Sequence, residues 1–151
     1  MPLTPDQCVF LMNKFPEIKI FVRSSGHRCF SDNDYKKSGV EVVEELDHCD
    51  VLLGIKEVPV ESLIRNKTYL FFSHTIKGQE YNRKLLKSLI INNIRMIDYE
   101  VLKNNRGSRI IGFGRYAGVV GAYNCFLTHG LKNKLYNLKP AYKCKDRVEM
   151  E

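Results

Sequence analysis

Two short apolar runs constrain this chain most: VLLGI (Val51 to Ile55) and YLFFS (Tyr69 to Ser73). Each stops abruptly at ionisable residues, the first at Lys56 and Glu57 and the second at His74. A continuous apolar run of that length, bounded by turn signals, reads as a strand buried on both faces, the kind found in parallel sheets. In open α/β sheets the ligand site lies beyond the carboxyl ends of such strands, and successive strands are usually neighbours. Lys56 and His74 are therefore expected at one edge of one sheet, and that edge is the candidate active site.

The remaining segments fit the same architecture. Thr4-Pro5 reads as an N-cap followed by proline at the first helical position, and Cys8, Leu11, Met12 and Phe15 recur at helical spacing, so a helix is expected over 5–15. IKIFV (Ile18 to Val22) reads as a strand, Ser31 as the cap of a short helix through Lys37 with Gly39 as its stop, and Val40 to Val43 as an edge segment. A helical turn is expected around Glu61 to Ile64. After Gly78, the spacing of Tyr81, Leu85, Leu86, Leu89 and Ile90 predicts a longer amphipathic helix. IRMI (Ile94 to Ile97) and RIIGF (Arg109 to Phe113) read as a third and fourth strand, the latter after the Asn104-Asn105-Arg106-Gly107 turn. A final helix starts near Gly114. Its small-residue stripe of Gly114, Gly118, Gly121 and Cys125 implies close approach of a neighbour or ligand. The alternation of strands and helices predicts a three-layer α/β sandwich with a mostly parallel sheet. A substrate-binding domain over 1–131 and a polar tail or linker over 132–151 are expected.

Length and composition narrow the function classes. A chain of 151 residues suffices for one domain with a real core. The formal net charge of +7 is spread without a basic run, so a solvated surface is expected in preference to nucleic-acid binding. No apolar run approaches the ~20 residues that span a bilayer. The odd count of five cysteines, without a CxxC pair, points to a reduced, cytoplasmic chain. His27, His48 and His129 have no metal-ligand spacing, so no metal is expected.

The chemistry-bearing residues each have a bland reading and a functional one. Lys56 with Glu57 is an ordinary surface ion pair or, at the end of an apolar strand, a partly desolvated lysine usable as a general base. His74 is a hydrogen-bonded structural residue or an acid–base group. Ser73, Thr75, Lys77 and Gln79 form a polar loop or supply donors to an anionic substrate. Asp98, Tyr99 and Glu100 cap a turn or orient the cations, and Arg109 is a solvated strand end or a carboxylate clamp. GFGRYAG (Gly112 to Gly118) has G-x-G-x-x-x-G spacing, with no acidic ribose partner downstream, and is rejected as a dinucleotide loop.

Taken together, PLTPDQ near the start, CDVLLGIKEVP, KTYLFFSHTIKGQ, NIRMIDYE and RIIGFGRYAGVVGAYN resemble the amino-terminal domain of the alanine dehydrogenase and transhydrogenase superfamily. Within it they are most similar to lysine-forming saccharopine dehydrogenases and to lysine-ketoglutarate reductase, and the resemblance spans Pro2 to about Ala141. It implies a flavodoxin-like, Rossmann-type substrate domain that packs against a separate NAD(P)-binding domain. The reaction it implies is reductive amination of 2-oxoglutarate by lysine, with alanine dehydrogenase chemistry or a non-catalytic interaction module as alternatives. It also implies that Lys56 and His74 are the acid–base pair, that Arg109 holds a substrate carboxylate, and that Lys77, Glu57 and Glu100 shape the field around the pair. Against the family pattern, the first strand is expected to be missing and the cofactor domain to lie outside this chain. The chain alone is therefore expected to bind no cofactor and to be inactive. Its expected partners are an amino acid or 2-oxo acid, and an NAD(P)-binding domain or another copy of itself.

Overall fold

A computed structural model describes residues 1–144 and 146–150. They fall into two compact units, 1–110 and 111–151. In the first unit the elements follow in the order α1 (Pro5–Lys14), β1 (Phe21–Arg23), α2 (Asp32–Lys37), β2 (Glu41–Val43), β3 (Val51–Lys56), β4 (Thr68–Phe72), α3 (Arg83–Ile91) and β5 (Arg95–Asp98). The second unit holds α4 (Gly114–Asn133) and the short α5 (Arg147–Met150).

Local chemistry sets the boundaries. Thr4 and Ser31 each form a capping box, with Gln7 and Asp34 respectively, which starts α1 and α2. After α1 the Ile18 amide donates to the Phe15 carbonyl at 3.0 Å. That turn consumes the residues expected to open the first strand, so β1 begins only at Phe21.

All named strands pair in parallel, as two sheets: β1-β2, and β3-β4-β5 in chain order. The α/β class with parallel strands is as expected; the division into two sheets is not. Leu52, Tyr69 and Phe71 on one face of the larger sheet pack with Leu85 and Leu89 of α3 to form the main core. Cys8, Tyr35 and Val40 form a second cluster, with Met12 and Val22 against it. Burial on both faces holds best for the central strand β4, where Tyr69, Phe71 and Phe72 are all buried. It fails for β3: Val51 and Leu53, on the face away from α3, are 50% and 45% exposed. β3 is an edge strand of its sheet, and the core formed by α3 lies on its Leu52 face.

The expected fourth strand is absent. Residues 103 and 109 form an isolated antiparallel bridge instead. The Asn104 side chain accepts from the amides of Arg106 and Ser108, and Gly107 has φ +75°, closing a tight loop that turns Arg109 back toward β5. In the second unit α4 continues through residue 131 to Asn133, and the Tyr123 hydroxyl donates to the Lys139 carbonyl at 2.6 Å.

Candidate active site at the carboxyl edge of the sheet

β4 ends at Phe72, and the next two residues turn sharply. Ser73 is fully buried, and His74 sits in the left-handed region at φ 57°, ψ 8°. For a residue with a Cβ that conformation costs about 1–2 kcal/mol, so neighbours must hold it. The His74 carbonyl accepts from the Lys77 amide at 3.1 Å and from Asn82 Nδ2 at 3.0 Å. Its ring stacks near Phe72 at 23° between planes.

β5 ends at Asp98, whose carboxylate caps the following turn by accepting from the Glu100 amide at 2.8 Å. The other Asp98 oxygen accepts from the Ser73 hydroxyl at 2.5 Å. Phe71 and Asp98 are register partners, so this clasp ties together the two chains just as they leave the sheet. It fixes Ser73, which precedes His74, and the backbone of Glu100, which meets it.

Glu100 is the hub. Its side chain is only 4% exposed and faces three cationic or ionisable groups. Oε2 lies 2.9 Å from His74 Nδ1, while Oε1 takes Arg109 at 3.1 Å and Lys77 Nζ at 3.4 Å. The hydrogen bond from His74 holds the Glu100 carboxyl below the usual carboxylate range, and Lys77 pulls in the same direction against the opposing effect of burial. An ionised carboxylate can only accept, so it fixes the proton on Nδ1. Lys77 Nζ is also 3.2 Å from Nδ1, but a protonated Nδ1 has no lone pair for an ammonium group, and Lys77 is bound through Glu100. His74 Nε2 makes no hydrogen bond among the described residues and is the nitrogen left to exchange a proton.

The structure thus brings together His74, Lys77, Glu100 and Arg109. It does not bring Lys56 or Glu57 into that cluster. Lys56 pairs in register with Phe72, two residues before His74, and so ends at the same edge. Neither the Lys56 nor the Glu57 side chain makes a hydrogen bond or ion pair among the described residues. Ser73 and Thr75 are not free donors: their hydroxyls lie 2.8 Å apart and serve the Asp98 clasp. Sequence reasoning missed Asn82, which reaches His74 from eight residues on; nothing in its spacing announces that contact.

No strand leads directly into α4 at the glycine-rich segment, and among the described residues a Cβ built on Gly112, Gly114 or Gly118 would meet nothing within 4 Å. The close approach expected along the small stripe of α4 is not found among the described residues at Gly114, Gly118 and Gly121. It occurs at Gly130, where a Cβ would lie 2.5 Å from the Tyr136 ring. Among the described residues no helix is long and apolar enough to cross a membrane.

The family described as alanine dehydrogenase/PNT, N-terminal domain, matches residues 1–120. Mouse alpha-aminoadipic semialdehyde synthase, mitochondrial, is 42% identical over 120 residues, 80% of this chain and 13% of that protein. The Yarrowia lipolytica saccharopine dehydrogenase [NAD(+), L-lysine-forming] is 30% identical over 109 residues, covering 69% of this chain and 30% of the relative. An L-alanine dehydrogenase structure superposes with a TM-score of 0.69 at 17% identity, over 88% of this chain and 37% of that one, which supports the fold. The chain spans about an eighth to a third of the curated relatives it matches. A family match over most of the chain, on a parallel sheet whose carboxyl edge gathers His74, Lys77, Glu100 and Arg109, makes this chain a member of the alanine dehydrogenase/PNT N-terminal domain family.

Proposed function

We propose that this chain is the substrate-binding and acid–base portion of an amino-acid oxidoreductase of the saccharopine dehydrogenase or lysine-ketoglutarate reductase type. The observation that carries the reading is the convergence of His74, Lys77 and Arg109 on one buried carboxylate at the carboxyl edge of the sheet. A structural ion pair needs one partner; three at a ligand-binding edge suit a site that handles carboxylates and protons.

In this reading Arg109 clamps a carboxylate of the 2-oxo acid, and its half-exposed guanidinium keeps donors for a bidentate contact beyond the one Glu100 takes. Lys56 accepts the proton as the substrate amine adds to the oxo carbon. Lys56 returns that proton to the alkoxide oxygen; His74, protonated on both ring nitrogens and held by Glu100 through Nδ1, then gives its Nε2 proton to the departing hydroxyl, so water leaves and a protonated imine remains. Glu57, Lys77 and Glu100 set the field in which these transfers occur. The hydride belongs to a nicotinamide held by a separate NAD(P)-binding domain, on the same polypeptide or another.

The test is to supply residues 1–151 with the nucleotide-binding domain of a full-length relative and follow nicotinamide oxidation with lysine and 2-oxoglutarate. Turnover that falls at least about 100-fold in Lys56→Met and in His74→Asn is expected, the range of general acid–base contributions. Undiminished turnover in either variant refutes its assigned role. Activity with ammonia and pyruvate in place of lysine and 2-oxoglutarate would favour the alanine dehydrogenase type instead. Residues 1–151 alone are expected to show no turnover.

A second reading is an interaction module without catalysis, favoured by the exposed apolar face of β3 at Val51 and Leu53. Sedimentation of the chain as a concentration-independent monomer would count against it.

A further inference from the structure

We propose that Asn82, which hydrogen-bonds the His74 carbonyl and not its ring, is a positioning residue that holds the ring against Glu100 by tying down the His74 main chain. The inference deepens the acid–base reading of His74 and rests on it for its catalytic meaning.

Asn82 ends the single turn Glu80–Asn82 that leads into α3. Asparagine at a helix start commonly turns its side chain back to cap the helix, yet here it makes no cap hydrogen bond. Its amide reaches eight residues back to the His74 carbonyl at 3.0 Å. The residue is 3% exposed, and its Oδ1 is buried with no hydrogen-bond partner among the described residues. A buried, half-satisfied amide works against stability, and an apolar residue of similar volume would serve packing better. The use of this side chain therefore lies in the bond it does make.

That bond falls on the one residue of the site with a strained backbone. At φ 57° the Cα–Cβ direction of His74 differs from that of any residue with negative φ. Without Asn82 the carbonyl keeps only the Lys77 amide of its own turn, a local bond that does not by itself hold the strained backbone, so His74 relaxes toward negative φ and the ring leaves its 2.9 Å contact with Glu100. The Nδ1–H tautomer goes with it, because that carboxylate is what places the proton there.

The experiment compares the 151-residue chain with Asn82→Leu and Asn82→Ala. Long-range 1H–15N correlation at alkaline pH, where imidazoles are neutral, reads which ring nitrogen carries the proton; the His74 signal is the one lost in His74→Gln. The parent should show the Nδ1–H form. In each folded variant that signature should be lost, while Asn82→Leu unfolds in urea at the same concentration as the parent or a higher one. An unchanged tautomer in either folded variant overturns the proposal. Should neither variant fold, Asn82 is a structural requirement and the positioning role is equally refuted. The tautomer is read without turnover, so it separates the two readings. If it collapses in the Asn82 variants while His74→Asn leaves complemented activity intact, the acid–base role is wrong and the positioning contact stands.

Discussion

Replacing Asp98 with alanine tests the clasp beneath the site. The carboxylate accepts two hydrogen bonds, from the Glu100 amide at 2.8 Å and the Ser73 hydroxyl at 2.5 Å, and both donors are buried. The two losses are unequal. The Ser73 hydroxyl can turn to Thr75 Oγ1, 2.8 Å away, whereas the Glu100 amide has no second acceptor among the described residues. Leaving a buried donor unsatisfied costs roughly 1–3 kcal/mol, and a bond to an ionised acceptor is at the upper end. One full loss and one partial loss, less the relief of no longer burying a carboxylate, give about 2–3 kcal/mol for Asp98→Ala. Asp98→Asn keeps an oxygen for the Glu100 amide and offers the serine an amide donor, so about 1 kcal/mol is expected. With m near 1–3 kcal/mol/M, the alanine variant's urea midpoint should drop by about 0.7–3 M, followed by far-ultraviolet circular dichroism. A drop in Asp98→Ala stability below about 0.5 kcal/mol, or equal losses in the two variants, would refute the clasp.

The exposure difference between the two strands gives another test. Phe71→Ala, at a position with no exposed surface in the central strand, should lose about 3–5 kcal/mol, while Leu53→Ala on the open face of β3 should lose under about 1 kcal/mol; similar losses by urea denaturation would mean that β3 is buried on both faces after all. The depressed Glu100 carboxyl sets the sign of a pH effect. Its contribution to stability is fully present above the unfolded carboxylate value, and is lost as pH falls through the lower value of the folded state. Glu100→Gln should therefore flatten the acid limb of a stability–pH curve in that window, and an unchanged limb would show that the His74 and Lys77 contacts do not stabilise the charged form.

The sheet and the edge that carries the site were legible because strand burial writes itself into sequence as uninterrupted apolar runs. VLLGI, YLFFS and IRMI became β3, β4 and β5 to within a residue or two, and the ionisable residues that end them do lie at the carboxyl edge. Where the pattern misled, a local hydrogen bond outweighed it. RIIGF has a strand's composition, yet the Asn104 side chain closes a loop that spends those residues on returning Arg109 to Glu100. The exposed face of β3 was invisible for a different reason: hydrophobicity records what a residue favours and carries no information about whether a neighbour is there to cover it. Asn82 and the Ser73–Asp98 bond depend on approaches across eight and 25 residues, and no periodicity encodes those.

The chain-order arrangement of β3, β4 and β5 has a kinetic consequence. Each strand pairs with the next one synthesised, so this sheet closes only short loops as it forms, a route that favours early and rapid assembly. His74, Lys77 and Glu100 all lie on the connections and ends of that same stretch, within or just after it. Hydrogen exchange should find the candidate site riding on the slowest-opening unit of the chain, with the β1-β2 pair and its cluster opening independently and more readily. Local fluctuations elsewhere can then come and go without scattering His74, Lys77 and Glu100, whose lifetime as a constellation is that of the sheet itself.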